Sequence, residues 1–430
     1  MSTLKVNKLR DTAGSADAIT LDPNGGAGLA GVTTMTTARV TSGIVTNTFI
    51  VGAGVTISES GIEASGIGIT CANINGAQIG GRRNLIINGA MMVAQRGTSS
   101  TSSGYYTVDR MSITWSGVNE NPTVAQVDVS SGTTPHTLGF RKSVKITNGN
   151  QTGGAGSSDY VQFLQRIEAQ NVANSGWNYY SASSFITLSF WIKSSVAQAF
   201  SGSLRAPDGT SQSFKFDTPS LSADTWTKVV KTIPGNSNIT VANDTGVGLD
   251  VYLFPFLGTS YTDGSSDTET WVTAQSGNYS NDMTTTWYTT NDATWEITGL
   301  QLEVGPQATP FEHRPFGEEL HLCHRYFYSM GGGTTSTMIA MGIKGGTTSA
   351  RYFIKYPNTM RATPTFTIND LKVDSETTGS YQSITSISDT LGNEKSCRLV
   401  LACDSSASQG SPCSLLSGGT SSYLRGSAEL

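Results

Sequence analysis

Residues 31–83 repeat one short step, a glycine followed by valine or isoleucine, and this repeat constrains the fold more than any other feature. Each step supplies one β-branched side chain to a core and one glycine at which the backbone can turn sharply. A single copy offers too few apolar groups to enclose a dry interior. The repeat therefore predicts an intertwined β-stem in which three chains share one core; the alternative is a flexible glycine- and serine-rich linker. The step occurs at Gly31-Val32, Gly43-Ile44, Gly54-Val55, Gly61-Ile62, Gly66-Ile67 and Gly68-Ile69.

The rest of the chain also favours strands over helices. Only 14% of its 430 residues are charged, and glycine, serine and threonine are abundant. Frequent Thr, Val, Ile, Tyr and Trp suit a pleated sheet, and no long segment places apolar residues at helical spacing. We therefore predict an all-β protein with more than one domain.

The order of these patterns predicts four segments. Residues 1–30 begin with the alternating run "STLKVNKLRD", which "LDPNGGAGLAG" then interrupts, so we predict an N-terminal attachment segment that docks on another protein. The β-stem over 31–83 follows. Residues 84–316 hold about ten short strand candidates separated by turn clusters, a pattern typical of an antiparallel jelly-roll sandwich. Residues 317–430 predict a smaller β-domain, in which "GEELHLCHRYFYSM" is a short helix leading into a strand.

Charge and hydropathy exclude several classes of partner. The net charge of −5 and the scattered Lys and Arg argue against nucleic-acid binding. No run approaches eighteen apolar residues, so membrane insertion is not expected. The N-terminus lacks the apolar core of a secretory signal, so we expect synthesis and assembly in a cytoplasm.

Metal binding and catalysis find little support in the motifs. Five cysteines form no CxxC pair, and we expect free thiols packed as small apolar groups. Cys323 lies between His321 and His324, a spacing that could hold a metal, but such residues more often pack or form contacts between chains, so we predict no metal site. No GxSxG surrounds a serine. Acidic residues that a glycosidase would need fall in no recognisable catalytic motif; they are Asp109, Glu168, Asp208, Asp263, Asp267 and Glu296.

Sugar binding is the better-supported chemistry. The apolar C–H face of a pyranose stacks on Trp or Tyr, and Asn and Asp side chains hydrogen-bond to its hydroxyls. Such residues cluster in three turn-rich stretches, and the alternative is that their rings pack inside the sandwich or against a neighbouring chain. The candidate glycan contacts are Trp177, Asn178, Tyr179, Tyr180, Tyr261, Asp263, Tyr279, Trp287 and Tyr288.

Several runs resemble those of one known family. "NLIINGAMMVAQRG", "YYTVDRM", "SFITLSFWIKSS", "TWTKVVKTIP" and "ITGLQLEVGPQATPFEHRPFGEELHLCHRYF" are similar to receptor-binding tail-fibre proteins of bacteriophages and prophages. In that family the first run opens a jelly-roll domain like a carbohydrate-binding module, and the last run closes it. "STLKVNKLRD" and "GVTISESGIEASGI" resemble fibres of phages that infect marine cyanobacteria.

The resemblance implies a function and a set of partners. It implies a homotrimeric virion component attached through residues 1–30 to a tail, adaptor or nozzle protein. The C-terminal domains would then bind host-surface polysaccharide or lipopolysaccharide. Thr298 and Gly299 stand where related modules often carry an acidic calcium ligand, so neither calcium nor another cofactor is expected. A glycan depolymerase spike and a structural adaptor between tail and fibre proteins are the alternatives, and we expect no enzymatic activity.

Overall fold

The computed structural model describes residues 82–264, 267–375, 381–404 and 408–430. Before residue 82 it describes the backbone of eight short strands. The chain divides into two compact units, Met1–Cys71 and Ala72–Leu430.

The first unit contains two three-stranded antiparallel sheets, each built from consecutive strands. Their order is β1-β2-β3 and β4-β5-β6, and the strands are β1 (Lys8–Arg10), β2 (Asp17–Leu21), β3 (Ala27–Leu29), β4 (Thr48–Ile50), β5 (Val55–Ser58) and β6 (Gly61–Ala64). The other residues of this unit lie outside the described part. The attachment segment and the three-chain stem therefore stay predictions.

The second unit opens with a hairpin of β7 (Asn73–Ile74) and β8 (Ala77–Gln78) and continues into a sandwich of two six-stranded sheets. The sandwich strands are β9 (Ser99–Ser100), β10 (Met111–Ser116), β11 (Thr123–Asp128), β12 (Lys142–Thr147), β13 (Tyr160–Glu168), β14 (Phe185–Ser194), β15 (Ser201–Ala206), β16 (Gln212–Asp217), β17 (Thr227–Pro234), β18 (Val247–Leu257), β19 (Trp271–Thr273) and β20 (Thr294–Val304). Between them lie the short helices α1 (Thr134–Thr137), α2 (Ala169–Ala173) and α3 (Thr286–Thr289) and a 3₁₀ turn (Thr259–Tyr261).

The two sheets enclose one large apolar core. Sheet I has the strand order β10-β13-β18-β15-β16-β19, and sheet II has the order β17-β14-β20-β12-β11-β9, with antiparallel pairing throughout. Alternate residues of each strand point inward, as with Val161 and Phe163 of β13 against Trp295 and Ile297 of β20. The prediction of an all-β chain with an antiparallel sandwich is confirmed, and its two-sheet arrangement is that of a jelly roll.

A helix and a second β-structure follow the sandwich. Helix α4 (Phe316–Cys323) begins after Pro315 with two glutamates in its first turn, where carboxylates favour the helix dipole. It leads into β21 (Phe327–Met330), which confirms the predicted helix–strand step. The later strands are β22 (Met338–Gly346), β23 (Ser349–Lys355), β24 (Thr365–Asn369), β25 (Leu371–Asp374), β26 (Tyr381–Gly392), β27 (Ser396–Cys403), β28 (Pro412–Ser417) and β29 (Tyr423–Ser427). They form a closed barrel, β22-β23-β27-β26-β25-β28, and a small sheet, β21-β29-β24. The predicted boundaries at 83/84 and 316/317 stay predictions, because 72–430 forms one compact unit.

The "NLIING" run pairs with the last strand of the sandwich. The Asn84 Oδ1 accepts hydrogen bonds from the backbone N–H groups of Ile86 and Leu302, each at 3.0 Å. Gly89 exchanges backbone contacts with Leu300, whose N–H donates to the Gly89 carbonyl at 2.9 Å. A Cβ at position 89 would lie 2.0 Å from the Leu300 carbonyl oxygen, so only glycine fits there. The run therefore fixes its register against β20.

The same run is held from the other side by the closing run of the sequence. The Arg314 guanidinium donates to the Asn84 carbonyl at 2.5 Å and to the Ile86 carbonyl at 3.1 Å. Glu312 Oε2 accepts from the Asn84 N–H at 2.8 Å, and Glu319 Oε1 accepts from the Asn88 N–H at 2.6 Å. We call these contacts between 84–88 and 312–319 the clasp. The run that opens the sandwich and the run that closes it are thus in direct contact.

A second set of charged contacts joins the sandwich to β21 and β29. Glu429 accepts from Arg96 at 3.0 Å and also pairs with Arg110, whose side chain is 1% exposed. The Arg96 guanidinium stacks over Phe327 at 3.4 Å, and that of Arg110 stacks over Tyr326 at 3.5 Å. Two cations thus share one buried carboxylate and two aromatic rings at this junction, which we call the arginine junction.

Two further carboxylates line the same region. Glu168 forms a bidentate pair with Arg325, at 2.7 and 2.9 Å. Asp109 accepts from the Gln95 N–H at 3.0 Å. Burial raises the pKa of Asp109 to about 6, although the nearby Arg96 opposes this shift. Both carboxylates therefore have structural partners.

The described cysteines agree with the packing prediction. Cys323, Cys397, Cys403 and Cys413 are free thiols and all are buried. Burial raises the pKa of the Cys323 thiol well above its usual range. Cys71 lies outside the described residues.

Candidate functional site

The outer face of sheet I carries an aromatic and polar surface. In β13 and β18, residues that alternate with the core positions point away from it; they include Gln162, Leu164, Tyr252 and Phe254. Leu164 lies opposite Tyr252 in the sheet register, and Ser203 of β15 flanks Tyr252 on the other side. Phe254 stacks beside Tyr252 with ring centroids 5.7 Å apart. Leu164, Tyr252 and Phe254 are buried, because the half-buried rings of Tyr160, Tyr261 and Tyr279 pack against them.

Four tyrosines on this face surround a cavity of about 280 Å³. We call it the tyrosine groove; its lining residues are Tyr160, Gln162, Tyr252, Leu257, Tyr261 and Tyr279. The rings of Tyr160 and Tyr261 meet edge to face at 5.6 Å, and Tyr279 lies 6.4 Å from Tyr252 and 6.3 Å from Tyr261. Tyr160, Tyr261 and Tyr279 are half-buried, so each keeps part of its surface accessible.

The segment between β18 and β20 builds a wall of the groove. Tyr261 precedes β19 in this segment and Tyr279 follows it, and the Tyr279 N–H donates to the Tyr261 carbonyl at 2.9 Å. Lys215, a fully buried residue of β16, forms an ion pair with Asp263 at 2.5 Å. The Thr262 hydroxyl donates to Asp282 at 2.5 Å. These contacts fix the two loop tyrosines relative to the sheet before any ligand arrives.

Polar groups lie beside the rings. The Gln162 amide, which lines the cavity, donates to Thr114 Oγ1 at 2.9 Å. Arg166 donates to Asp250 at 3.3 Å, two residues along the strands from the pair of Leu164 and Tyr252. Burial raises the pKa of Asp250, with Arg166 opposing, and burial raises the pKa of Tyr252 to about 12. Tyr252 of the groove therefore stays a neutral phenol around neutral pH.

The structure brings together only part of the predicted glycan site. Tyr261 and Tyr279 line the groove. Asp263 lies two residues after Tyr261 and forms the ion pair with Lys215. Asn178, Tyr179 and Tyr180 lie in the loop between α2 and β14, and none of them lines the groove. Tyr180 is 55% exposed and its hydroxyl donates to that of Tyr179 at 3.2 Å.

Three predicted contacts are wrong because their rings lie in the core. Trp177 is 3% exposed, and Trp287 and Tyr288 are fully buried. The Trp287 indole N–H donates to the Thr294 carbonyl at 3.1 Å, and the Tyr288 ring stacks on Phe256 at 4.3 Å. A ring enclosed on both faces offers no surface to a sugar.

Sequence reasoning missed Tyr160, Gln162 and Tyr252. A signal for the first two exists in "YVQFLQRI", because strand alternation that buries Val161 and Phe163 must turn Tyr160 and Gln162 outward. Tyr252 had no such signal. Its strand, "VYLFPF", is apolar on both faces, so periodicity does not tell the outer ring from the inner ones.

Residues that could bind a metal form no cluster in the part of the chain that the structure describes. Within it, no group of three His, Cys, Asp or Glu residues is placed to hold a metal ion. His324 hydrogen-bonds to Gln95 at 3.1 Å, and Thr298 donates to the Lys142 carbonyl at 2.7 Å. Glu296 pairs with Lys193 at 2.9 Å. Among the helices of the described residues, none is long and apolar enough to cross a membrane.

Two larger cavities lie elsewhere. One, of about 370 Å³, adjoins the clasp and is lined mainly by arginine and asparagine, including Arg82 and Asn171. The other, of about 390 Å³, lies against sheet II between Trp191, Phe311 and His313. The tyrosine groove is smaller than both, but it combines three half-buried phenol rings with the amide of Gln162, and sugar recognition needs that combination.

Comparisons with known proteins give distant structural matches. No family model matches the chain, and no curated protein matches it in sequence. The enzymatically active domain of tailspike protein 4 from bacteriophage CBA120 is 13% identical, with a TM-score of 0.27, over 51% of this chain and 21% of that chain. This chain thus spans about a fifth of the length of the tailspike structure.

Carbohydrate-binding modules give matches of similar quality. A family 16 module is 12% identical, with a TM-score of 0.24, over 51% of this chain and 99% of the module. The module TmCBM61 in complex with β-1,4-galactotriose is 10% identical, with a TM-score of 0.24, over 53% of this chain and 100% of the module. What the chain has in common with these proteins is limited to a distant likeness, and its β-sandwich is defined by its own strand order.

Proposed function

We propose that this protein is a homotrimeric phage tail fibre that binds host cell-surface glycans for adsorption. In this proposal residues 1–30 attach to a tail, adaptor or nozzle protein, the glycine-rich repeat forms the shared stem, and the sandwich contacts host polysaccharide or lipopolysaccharide. The fibre works as part of the virion and needs no cofactor. The observation that supports glycan binding is the tyrosine groove; the family resemblance of the sequence supports the virion role.

The groove suits a short stretch of sugar. Its volume of about 280 Å³ is close to the lower limit of about 300 Å³ for small-molecule sites, so it fits one or two rings rather than a long chain. Phenol faces of Tyr261 and Tyr279 can stack on the C–H face of a pyranose. The amide of Gln162 lines the same groove and can hydrogen-bond to a sugar hydroxyl.

Binding without cleavage is our proposal for the chemistry. Hydrolysis of a glycosidic bond needs two carboxyl groups about 5–9.5 Å apart across the bond. Two carboxylates near this face already have cationic partners: Asp250 pairs with Arg166, and Asp263 pairs with Lys215. Incubation of purified protein with host polysaccharide should release no new reducing ends. Their release would favour the depolymerase alternative.

Removal of the two loop tyrosines should weaken glycan binding strongly. We expect the double variant Tyr261→Ala/Tyr279→Ala to bind host polysaccharide about 30-fold more weakly or worse. Loss of one central aromatic contact costs about 2 kcal/mol of binding free energy, which corresponds to this factor. The measurement is calorimetry with purified polysaccharide, together with adsorption of the protein to host cells. Tyr106→Ala is the matched control, because Tyr106 is 49% exposed and does not line the groove. Equal binding by both variants would remove the groove from the proposal.

Deletion of the repeat tests the trimer. We expect the intact protein to have three times the mass of one chain by light scattering, because the repeat can enclose a core only when three copies share it. Deletion of residues 31–83 should lower that mass. An intact protein that is monomeric would contradict the stem.

Binding of residues 1–30 to virions, without binding of 84–430 to cells, would favour the adaptor alternative.

A further inference from the structure

The closed barrel contains a polar cluster inside an otherwise apolar interior. Around its axis lie aliphatic side chains such as Val373, Leu399 and Leu415, all fully buried. Lys344, 1% exposed, points its amine into this interior, which is rare for lysine without a specific partner. The residues that gather around it share an end of the barrel and come from different strands; they are Gln382, Cys403 and Cys413.

The amine of Lys344 is in direct contact with a thiol. It donates to Cys403 Sγ at 2.8 Å and to Gln382 Oε1 at 2.9 Å. Cys403 is 5% exposed. Cys413 is turned to another partner, because its thiol donates to the Tyr352 hydroxyl at 3.6 Å. The sulfur of Cys403 is therefore in hydrogen-bond contact with a nitrogen that can act as a nucleophile once it is unprotonated.

Backbone contacts hold the two residues in this position. The Cys403 N–H donates to the Thr348 carbonyl at 2.9 Å, and the Lys344 N–H donates to the Ser411 carbonyl at 2.9 Å. Lys344 lies in β22 and Cys403 at the end of β27, and β23 runs between these two strands in the barrel. A bond between the side chains would therefore link strands that are not neighbours, with little movement of either backbone.

We propose that Lys344 and Cys403 form a covalent nitrogen–sulfur crosslink when the protein meets a peroxide. Hydrogen peroxide oxidises the Cys403 thiol to a sulfenic acid and releases one water. The neutral amine of Lys344 then attacks that sulfur, the S–OH bond breaks, and a second water leaves. The net change is R–NH₂ + R′–SH + H₂O₂ → R–NH–S–R′ + 2 H₂O, in which the sulfur is oxidised by two electrons and the peroxide is reduced. Condensation of a sulfenic acid with a nearby nitrogen is known chemistry of oxidised cysteine.

The test is a peptide map of the full-length protein before and after hydrogen peroxide, with free thiols alkylated under denaturing conditions. We expect a linked pair of peptides containing Lys344 and Cys403, about 2 Da lighter than their sum and separated by dithiothreitol. Cys413→Ser should keep this species, whereas Cys403→Ser should lose it. Cys397 serves as the internal control, because it is a buried thiol of the same barrel whose described partner is Tyr356 rather than an amine.

Three results would overturn the proposal. They are a Cys403–Cys413 disulfide as the only product, sulfinic acid at Cys403 without a link to Lys344, and Cys403 that alkylates after peroxide as fully as Cys397. All three are read from the protein with its own sequence. The proposal therefore stays testable even if a substitution at position 344 or 403 prevents folding.

Discussion

Replacement of Glu429 by alanine should lower the free energy of unfolding by about 3–5 kcal/mol. The substitution leaves the Arg110 guanidinium, 1% exposed, without the carboxylate that compensates its charge. Arg96 keeps Asp109 at 3.7 Å, so the uncompensated charge falls mainly on Arg110. Urea unfolding followed by tryptophan fluorescence gives the measurement.

Asp128→Ala is the matched control for this prediction. It also removes one negative charge, from a pair with Lys142 at 2.6 Å, but the aspartate side chain is 81% exposed. Exposed pairs contribute less than about 1 kcal/mol, so this variant should unfold close to the unmodified protein. If the two variants lost the same stability, the arginine junction would have no special role in joining the sandwich to β21 and β29.

Asn88→Ala should be the second strongly destabilising change, by about 3 kcal/mol. Asn88 is fully buried with a φ of 64°, a conformation that asparagine tolerates better than alanine. Its side chain accepts from the Val93 N–H at 3.0 Å and donates to the carbonyls of Val93 and Asp109, each at 2.9 Å. Alanine leaves all three backbone groups buried without these partners. Urea unfolding measures the loss.

Two further variants separate the loss of the Asn88 hydrogen bonds from the backbone strain of alanine at position 88. Asn88→Gly removes the same hydrogen bonds but relieves the backbone, so it should be about 1 kcal/mol more stable than the alanine variant. Asn174→Ala is the control, because this exposed asparagine also makes two side-chain hydrogen bonds, to Gln170 and Asn243. Full stability of Asn88→Gly would mean that the hydrogen bonds of Asn88 contribute nothing.

The strands of the sandwich were largely predictable from local pattern. "SFITLSFWIKSS" and "TWEITGLQLEVG" correspond to β14 and β20, since runs of β-branched and aromatic residues bounded by turn residues describe central strands well. The pairing of these two strands was not predictable. It depends on packing between segments about a hundred residues apart, and local pattern contains no information on such contacts.

The candidate site was predictable only where rings lie in loops. Tyr261 and Tyr279 were found because aromatic residues among Gly, Ser and Asp are unusual in turns. Trp287 shares that composition, yet the one-turn helix α3 directs its ring into the core. Composition shows that a ring is present, but only the path of the chain decides which way it faces. Tyr252 was missed for the opposite reason: its strand is apolar on both faces, so the sequence did not indicate that this ring points away from the core.

The clasp has a mechanical consequence for a molecule that is pulled. Force that enters at Arg83 meets Glu312, whose carboxylate binds the Arg83 N–H, and passes by Arg314 into α4 and the barrel. Because residues 83–84 contact residues 312–314 directly, force can pass between these two runs without passing along the chain of the sandwich that connects them. If the protein is a fibre as proposed, tension between residue 83 and the barrel would act on the clasp before it acts on the strands of the sandwich.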